Sequence, residues 1–220
     1  MVLKNNPFLR LCHHYKDGNL EWAVCEVVGQ FSEISSICEN KSFVEYALTH
    51  FSNEKRRCQW LASRMLVREL LGTGVCVVND ANGKPRLCGD NRNISISHTD
   101  GYVAVALCSG GDVGIDIEHR GTKVFKVRRR FMNICEEARL DVSDEQTALL
   151  LHWSAKESFY KIIGNRGGSY AANFIIEPFV VGDKGEFRIS YINGGETIKE
   201  STVSYLVECN YVFTLCVDVC

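Results

Sequence analysis

Apolar residues in the first half of the chain recur with two spacings, one typical of helices and the other typical of strands. Helical spacing predicts a short helix at residues 43–51 and a longer one at 52–71. For the longer helix we expect Ser52 as the N-cap, Lys55 as the third helical residue and Gly72 at the end. Short apolar runs predict strands at 20–28, 74–78, 93–97 and 102–108, with turn signals at Asn82-Gly83 and Asp100-Gly101.

The second half follows the same plan. A strand at 113–118 is followed by a basic segment and by helical stretches over 124–140. A long helix is expected at 143–163, where Gly164 ends it. Further strands are predicted at 173–176, 186–191, 202–209 and 211–217.

The two halves also share short stretches of sequence. Residues 60–64 (WLASR) align with 153–157 (WSAKE), and Arg68 then falls opposite Lys161. We therefore expect an α+β fold of two similar lobes, 1–110 and 111–220, each a long helix packed on an antiparallel sheet. The lobes would form an intramolecular pseudo-dimer with the active site at their interface. A chance likeness between two helix-then-strand layouts is the alternative.

Composition limits the classes of protein to consider. Hydrophobic residues make up 45% and charged residues 24%, as in ordinary globular proteins, and the net charge of −2 argues against a general polyanion binder. The eleven cysteines show neither a C-x-x-C pair nor zinc-ligand spacing, which favours a reduced protein. Residues 1–10 lack the apolar core of a signal peptide, and no apolar run is long enough to cross a bilayer. We expect a cytoplasmic protein that does not contact a membrane.

A first candidate site lies in the segment 113–118 (VGIDIE). Strand alternation places Asp116 and Glu118 on one face. Two adjacent carboxylates repel each other unless a cation lies between them, and oxygen ligands suit Mg²⁺ or Mn²⁺. A metal site is therefore one interpretation, and an ordinary solvated strand face is the other.

A second candidate lies in the helix that contains residues 151–161 (LHWSAKESFYK). Trp153, Glu157 and Lys161 are spaced four apart and share a helix face. Glu157 could be a third metal ligand or a base, with Lys161 as a positive charge for a phosphate. A surface Glu–Lys pair beside a core tryptophan is the alternative. Lys156 faces elsewhere, and its role stays open.

A third candidate is the turn that follows the strand at 93–97. Ser97 and His98 lie there beside further hydroxyl and backbone donors, which together can bind an anion. Lys84 lies on an earlier turn, in the sequence Gly83-Lys84-Pro85. Each of these residues alone is equally consistent with a solvated loop.

The motifs GKP, SISHTDG, VGIDIE and WSAKESFYK, in this order, resemble the 4′-phosphopantetheinyl transferases over residues 53–176. The two-lobed length is similar to that of the Sfp-like branch and not to that of the short trimeric holo-acyl-carrier-protein synthases. The resemblance implies transfer of 4′-phosphopantetheine from coenzyme A to a serine of an apo acyl or peptidyl carrier protein, by a monomer. A non-catalytic module that binds coenzyme A or a carrier is the alternative, and an unrelated Mg²⁺-dependent phosphotransferase is disfavoured because no P-loop or kinase motif is present.

The resemblance also implies roles for individual residues. Asp116, Glu118 and Glu157 would bind Mg²⁺, with Mn²⁺ as an alternative, and Glu157 or a metal-bound water would be the base. Lys161 would contact the phosphates of coenzyme A. The 3′-phospho-adenosine end would be contacted by Lys84, Ser97 and His98 and by an arginine of the 52–71 helix. The usual arginine position aligns with Gln59, so Arg57 and Arg64 are the candidates, and Arg56 lies nearby.

The segment 119–130 is basic, with apolar residues between the charges. In the family, the region after the metal-binding strand meets the carrier protein, and carriers are typically acidic, so complementary charge would favour their encounter. A nucleic-acid patch or a solvated basic face is the alternative, and the acidic overall balance argues against nucleic acid. The docking candidates are Lys123, Phe125, Lys126 and Arg129.

Overall fold

The computed structural model describes residues 6–164 and 168–219. Residues 1–5, which begin the segment examined for a signal peptide, and Cys220 lie outside the described residues. The chain divides into two compact units at the boundary between Gly110 and Gly111. Each unit contains both helices and strands, and the two units are described separately. The pairing of the two units as a pseudo-dimer stays a prediction.

The first unit contains a four-stranded antiparallel sheet and a long helix that packs on it. The sheet has the order β1-β2-β6-β5, and a separate two-stranded sheet is formed by β3 and β4. Alternate residues of β2 and β6, among them Ala23, Val103 and Val105, form a buried core with Ala62 and Leu66 of the helix. The elements are β1 Leu9–Asp17, β2 Leu20–Val27, α1 Phe31–Ile37, α2 Lys41–His50, α3 Glu54–Leu71, β3 Cys76–Asn79, β4 Pro85–Cys88, β5 Asn93–Thr99 and β6 Tyr102–Cys108.

The second unit contains a five-stranded antiparallel sheet in the order β7-β11-β10-β9-β8. Its long helix is apolar on the side that faces the sheet, where Leu151, Ala155 and Phe159 are fully buried. The elements are β7 Gly111–His119, α4 Lys123–Val127, a 3₁₀ turn Arg128–Arg130, α5 Ile134–Glu137, α6 Glu145–Ile163, α7 Tyr170–Asn173, β8 Phe174–Ile176, β9 Lys184–Asn193, β10 Glu196–Val207 and β11 Tyr211–Val219.

Both long helices end at a glycine with positive φ, as the sequence predicts. Gly72 has φ 84° and Gly164 has φ 74°, and the amide of each donates to the carbonyl of the residue four positions earlier. A residue with a side chain rarely adopts this conformation, so glycine is the residue that fits a helix end of this kind.

Two local predictions are wrong. The N-cap of α3 is Asn53 and not Ser52, because the Asn53 side chain accepts a hydrogen bond from the amide of Arg56. Arg56, and not Lys55, is therefore the third residue of the helix. The helical stretches predicted over 124–140 are present as separate elements, since the chain leaves helical geometry after Arg130 and a new helix begins after Asn133, whose side chain caps it.

The helices α3 and α6 contain 18 and 19 residues. Within the described residues, no helix combines the length and the apolarity that a membrane crossing requires.

Candidate active site

The strand β7 and the helix α6 pack in unusually close contact, and a glycine makes this contact possible. A Cβ atom at Gly114 would lie 3.0 Å from the carbonyl carbon of Ser158 and 3.2 Å from Cγ1 of Ile162, and closer still to the Ser158 carbonyl oxygen. Next to this contact, the hydroxyls of Ser154 and Ser158 lie 2.8 and 2.6 Å from Oγ1 of Thr214 in β11. The missing side chain and these buried hydroxyl contacts bring the helix directly onto the strand that carries Asp116.

Asp116 lies beneath α6, where it forms an ion pair with Lys161. The Lys161 Nζ atom donates to Oδ1 of Asp116 over 3.1 Å and to the carbonyl of Ile115 over 2.6 Å. Asp116 is 6% exposed and Lys161 is half-buried. The predicted acid and the predicted lysine are therefore in direct contact, and both belong to the same unit.

Glu118 lies one strand repeat further along and contacts the same helix face. Trp153 Nε1 donates to Oε1 of Glu118 over 2.7 Å. Burial, followed by the negative charge of Asp116, raises the pKa of Glu118 to about 7. Two helix residues eight positions apart therefore contact the two acids of the strand, Trp153 contacting Glu118 and Lys161 contacting Asp116.

Glu157 occupies the helix position between Trp153 and Lys161. Burial, followed by the charge of Asp116, raises the pKa of Glu157, while a hydrogen bond with the Tyr170 hydroxyl opposes that shift. Tyr170 could not be predicted as part of the site, because a tyrosine thirteen residues along the chain gives no local signal of this contact. The structure thus places three carboxylates and one lysine in a common electrostatic neighbourhood.

The chemistry of these residues suits a hard divalent cation. The three carboxylates supply oxygen donors, and the charge of Asp116 raises the pKa of both Glu118 and Glu157, so a bound cation would relieve this repulsion. As positioned, however, their side chains contact Lys161, Trp153 and Tyr170. In the part of the chain that the structure describes, no three His, Cys, Asp or Glu side chains are gathered as a metal ligand set. The magnesium site stays a prediction supported by donor chemistry.

Lys156, whose role the sequence left open, has a structural position. Its side chain is completely buried, and Nζ donates to Oε2 of Glu136 over 2.7 Å and to the carbonyl of Phe131 over 2.6 Å. It also reaches the backbone carbonyl of Tyr170 over 3.3 Å. This buried pair holds the 131–136 segment and the start of α7 against the helix that carries Glu157.

In the first unit, the candidate anion-binding residues lie at the end of β5. Ser97 is buried and His98 is half-buried, and Nε2 of His98 accepts a hydrogen bond from Nη1 of Arg56. Lys84 lies on the β3–β4 turn, where its amide donates to Asp80 Oδ1 over 3.0 Å. Arg56 was named only as a neighbour in the sequence, yet it is the helix arginine that the structure places against His98.

The two arginines that the sequence favoured make other contacts. Arg57 Nε donates to the Phe51 carbonyl over 2.6 Å, and its guanidinium lies 5.9 Å from the centre of the Phe31 ring. The guanidinium of Arg64 lies 4.9 Å from the centre of the Trp60 ring, and burial lowers its pKa to about 10. Phosphate binding by Arg57 or Arg64 stays a prediction.

The basic segment after β7 exposes the residues that were singled out for docking. Val124 lies on the buried side of α4, and Arg128 forms ion pairs with Glu137 and Glu145, so these two residues stabilise the fold. Lys123, Phe125, Lys126 and Arg129 are all exposed, and so is Arg130.

Comparisons with known proteins give a consistent result. A family model described as the 4′-phosphopantetheinyl transferase superfamily matches residues 112–216. The L-aminoadipate-semialdehyde dehydrogenase-phosphopantetheinyl transferases of Rattus norvegicus and Mus musculus are each 33% identical over 128 residues, covering 47% of this chain and 41% of the relative. The 4′-phosphopantetheinyl transferase AcpT of Salmonella typhi is 28% identical over 122 residues, covering 52% of this chain and 61% of the relative. The match thus spans less than half the length of the two rodent proteins.

The matched range begins at the start of β7 and ends within β11. It therefore includes the four charged residues that the structure brings together between β7 and α6, namely Asp116, Glu118, Glu157 and Lys161. Residues 112–216 of this chain are thus similar to the 4′-phosphopantetheinyl transferase superfamily.

Proposed function

We propose that this chain transfers the 4′-phosphopantetheine group of coenzyme A to a serine hydroxyl of an apo acyl or peptidyl carrier protein. The second product would be 3′,5′-ADP. The observation that carries the proposal is the contact of β7 with α6, which places Asp116, Glu118, Glu157 and Lys161 together. We also propose that the chain belongs to the Sfp-like branch and acts as a monomer in the cytoplasm.

In this mechanism, the chain's own residues bind phosphate and move one proton. Glu157 accepts the proton of the carrier serine, and its raised pKa makes it a stronger base than an ordinary carboxylate. The serine oxygen then bonds to the β-phosphorus of coenzyme A, and the bond from that phosphorus to the oxygen of the departing 3′,5′-ADP breaks. Lys161 lies beside Asp116, where its positive charge can contact the pyrophosphate.

Asp116, Glu118 and Glu157 would hold Mg²⁺, or Mn²⁺ in its place. A bound divalent ion supplies neutralisation of the pyrophosphate charge. We expect Asp116→Ala to abolish transfer, because two carboxylates alone position a cation poorly. Asp112→Ala, on the same strand face but at its start, is the matched control and should retain transfer. Wild-type rates for Asp116→Ala at saturating Mg²⁺ would contradict the metal assignment.

Arg56 and His98 are the proposed contacts for the 3′-phosphate of coenzyme A, with Ser97 and Lys84 beside the adenosine. Arg56 supplies a fixed positive charge at the His98 ring, and a guanidinium suits a phosphate well. We expect Arg56→Ala to raise KM for coenzyme A about tenfold or more while leaving KM for 3′-dephospho-coenzyme A unchanged. Arg57→Ala and Arg64→Ala are the comparison variants, and a selective loss in either one instead would move the assignment to that arginine.

The carrier protein is proposed to dock on Lys123, Phe125, Lys126 and Arg129, because these side chains are exposed on one short segment after β7. Replacing Lys126 by Glu should raise KM for an acidic carrier without changing KM for coenzyme A. Lys184→Glu, at an exposed position of β9, is the matched control. Equal effects of the two charge reversals would contradict a specific docking surface.

A non-catalytic module that binds coenzyme A or a carrier is the second candidate function. It shares the binding predictions but not the transfer reaction. Binding of coenzyme A without formation of holo carrier, in the presence of Mg²⁺ and several carrier classes, would favour it.

A further inference from the structure

The β3–β4 hairpin of the first unit places two cysteines directly opposite each other. Cys76 and Cys88 are register partners in its antiparallel pairing. The Cα atoms of such partners lie about 4.5 or 5.5 Å apart, depending on whether the pair is hydrogen-bonded. A disulfide joins Cα atoms about 4.4–6.8 Å apart, so either kind of pair meets the requirement without movement of the strands.

Both thiols lie on the face of the hairpin that is turned away from the core. The next pair along the ladder, Val77 and Leu87, packs against the apolar core of the unit. Side chains alternate between the two faces of a strand, so Cys76 and Cys88 share the opposite face, where both are exposed. The two side chains are within hydrogen-bonding reach, and local desolvation followed by the neighbouring Cys88 raises the pKa of Cys76.

The backbone also fixes the end of the hairpin at which the cysteines lie. Gly89 has φ 90°, and a Cβ atom there would lie 2.9 Å from the carbonyl oxygen of Gly74. The two segments that enter and leave the hairpin therefore touch just outside the cysteine pair, which holds Cys76 and Cys88 in register.

We propose that Cys76 and Cys88 form a redox-active dithiol whose co-reactant is a small disulfide such as oxidised glutathione. One cysteine thiolate attacks a sulfur of oxidised glutathione, which gives a mixed disulfide and releases one glutathione thiolate. The second cysteine then attacks the protein sulfur of the mixed disulfide and releases the other glutathione. Two protein thiols are thereby oxidised to one disulfide, one glutathione disulfide is reduced to two thiols, and the two cysteine protons pass to the released glutathione.

The disulfide would constrain a segment that has little support of its own. An isolated two-stranded sheet is marginally stable, and β3 and β4 form a sheet separate from the main one. The turn that the cross-link encloses carries Lys84. Oxidation would hold this turn closed whether or not Lys84 contacts coenzyme A, so the inference does not depend on the proposed function.

The test is thiol oxidation of the full chain, followed by peptide mapping. The reduced protein is incubated with oxidised glutathione, the remaining thiols are alkylated, and the digest is searched for a peptide pair linked through Cys76 and Cys88. We expect this link in the wild type and in Cys135→Ser, which removes an exposed cysteine of the other unit. In Cys76→Ser and in Cys88→Ser, we expect oxidation to stop at a glutathione adduct, because the second thiol is missing.

Amide hydrogen exchange on the same samples gives a second readout. In the oxidised wild type, residues 76–88 should exchange more slowly than in the reduced protein, and reduction should restore the faster exchange. Separate glutathione adducts on Cys76 and Cys88 without a link, as expected for the unpaired position Cys135, would overturn the proposal. Links of either cysteine to Cys12 or Cys135 at the same rate as to each other would overturn it as well.

Discussion

Gly114→Ala tests whether the contact between β7 and α6 builds the site. A Cβ atom at this position would lie 3.0 Å from the carbonyl carbon of Ser158 and 3.2 Å from Cγ1 of Ile162. Non-bonded carbon atoms prefer separations of about 3.5–4.0 Å, so α6 would have to move away from the strand by ~1 Å. The two nearest atoms are the carbonyl oxygen and carbon of Ser158, which belong to the helix backbone and cannot rotate aside as a side chain can.

This displacement has two measurable consequences. Overpacking of a tight contact destabilises a protein by about 1–3 kcal/mol, so the free energy of unfolding should fall by that amount. A displacement of about 1 Å at a catalytic site can reduce the rate ~100-fold, because Glu157 and Lys161 on the helix would lose their positions relative to Asp116 on the strand. We therefore expect a loss of transfer rate and a loss of stability in the same variant.

Urea unfolding and the rate of holo-carrier formation measure the two effects separately. Gly182→Ala is the matched control, since a Cβ atom there would lie 3.7 Å from the nearest atom, an ordinary contact distance. The control should retain both stability and activity. A Gly114→Ala protein that is as stable and as active as Gly182→Ala would refute the argument that close strand–helix packing positions the site.

Three further changes test other parts of the structure. Trp153→Phe keeps an aromatic ring but removes the hydrogen bond to Glu118. The transfer rate should fall by about 10- to 100-fold, equivalent to about 1.5–3 kcal/mol, with little loss of stability in urea. An unchanged transfer rate would contradict a role for that bond. Burial lowers the pKa of His152 to about 4, so as pH falls the unfolded state binds a proton on this side chain before the folded state does. The free energy of unfolding should therefore fall by ~3 kcal/mol as pH drops from about 6.5 to about 4. His152→Phe should flatten this part of the stability–pH curve, and an equally steep curve in the variant would argue against the assignment. Lys156→Met leaves Glu136 buried without its partner and should lower the free energy of unfolding in urea by about 3–5 kcal/mol. Adding Glu136→Gln in a double variant should restore part of this loss, and additive losses of the two changes would contradict the pairing.

The parts of the fold that the sequence predicted well have strong local signals. The strand at 102–108 was predicted correctly because all its residues are buried, which gives an unbroken apolar run in the sequence. The ends of the two long helices were predicted correctly because a glycine directly follows each helix. The first strand, Leu9–Asp17, was missed because it lies at the edge of its sheet and most of its side chains are exposed. Such a strand has no apolar run to reveal it.

The N-cap of α3 was misplaced for a related reason. Ser52 and Asn53 are both good capping residues and are adjacent, so residue type alone cannot choose between them. Only the geometry of the chain decides which side chain accepts a bond from the amide of Arg56.

For the site, the two local patterns were informative and the contacts between them were not. Alternation placed Asp116 and Glu118 on one face, and helical spacing placed Glu157 and Lys161 on another. That these two faces meet depends on tertiary packing. A signal for this contact was present in Gly114, since a glycine within a strand often marks the close approach of another backbone. The partnership of Lys156 with Glu136 spans twenty residues and has no such signal.

Intact-mass analysis of an apo carrier protein, incubated with this chain, coenzyme A and Mg²⁺, tests the central claim most directly. We predict that the carrier gains the mass of one phosphopantetheine group, and that the gain disappears with EDTA or when the acceptor serine is replaced by alanine. An unchanged mass for fatty-acid, polyketide and peptide carriers alike, from a protein that still binds coenzyme A, would contradict the assignment of a transferase.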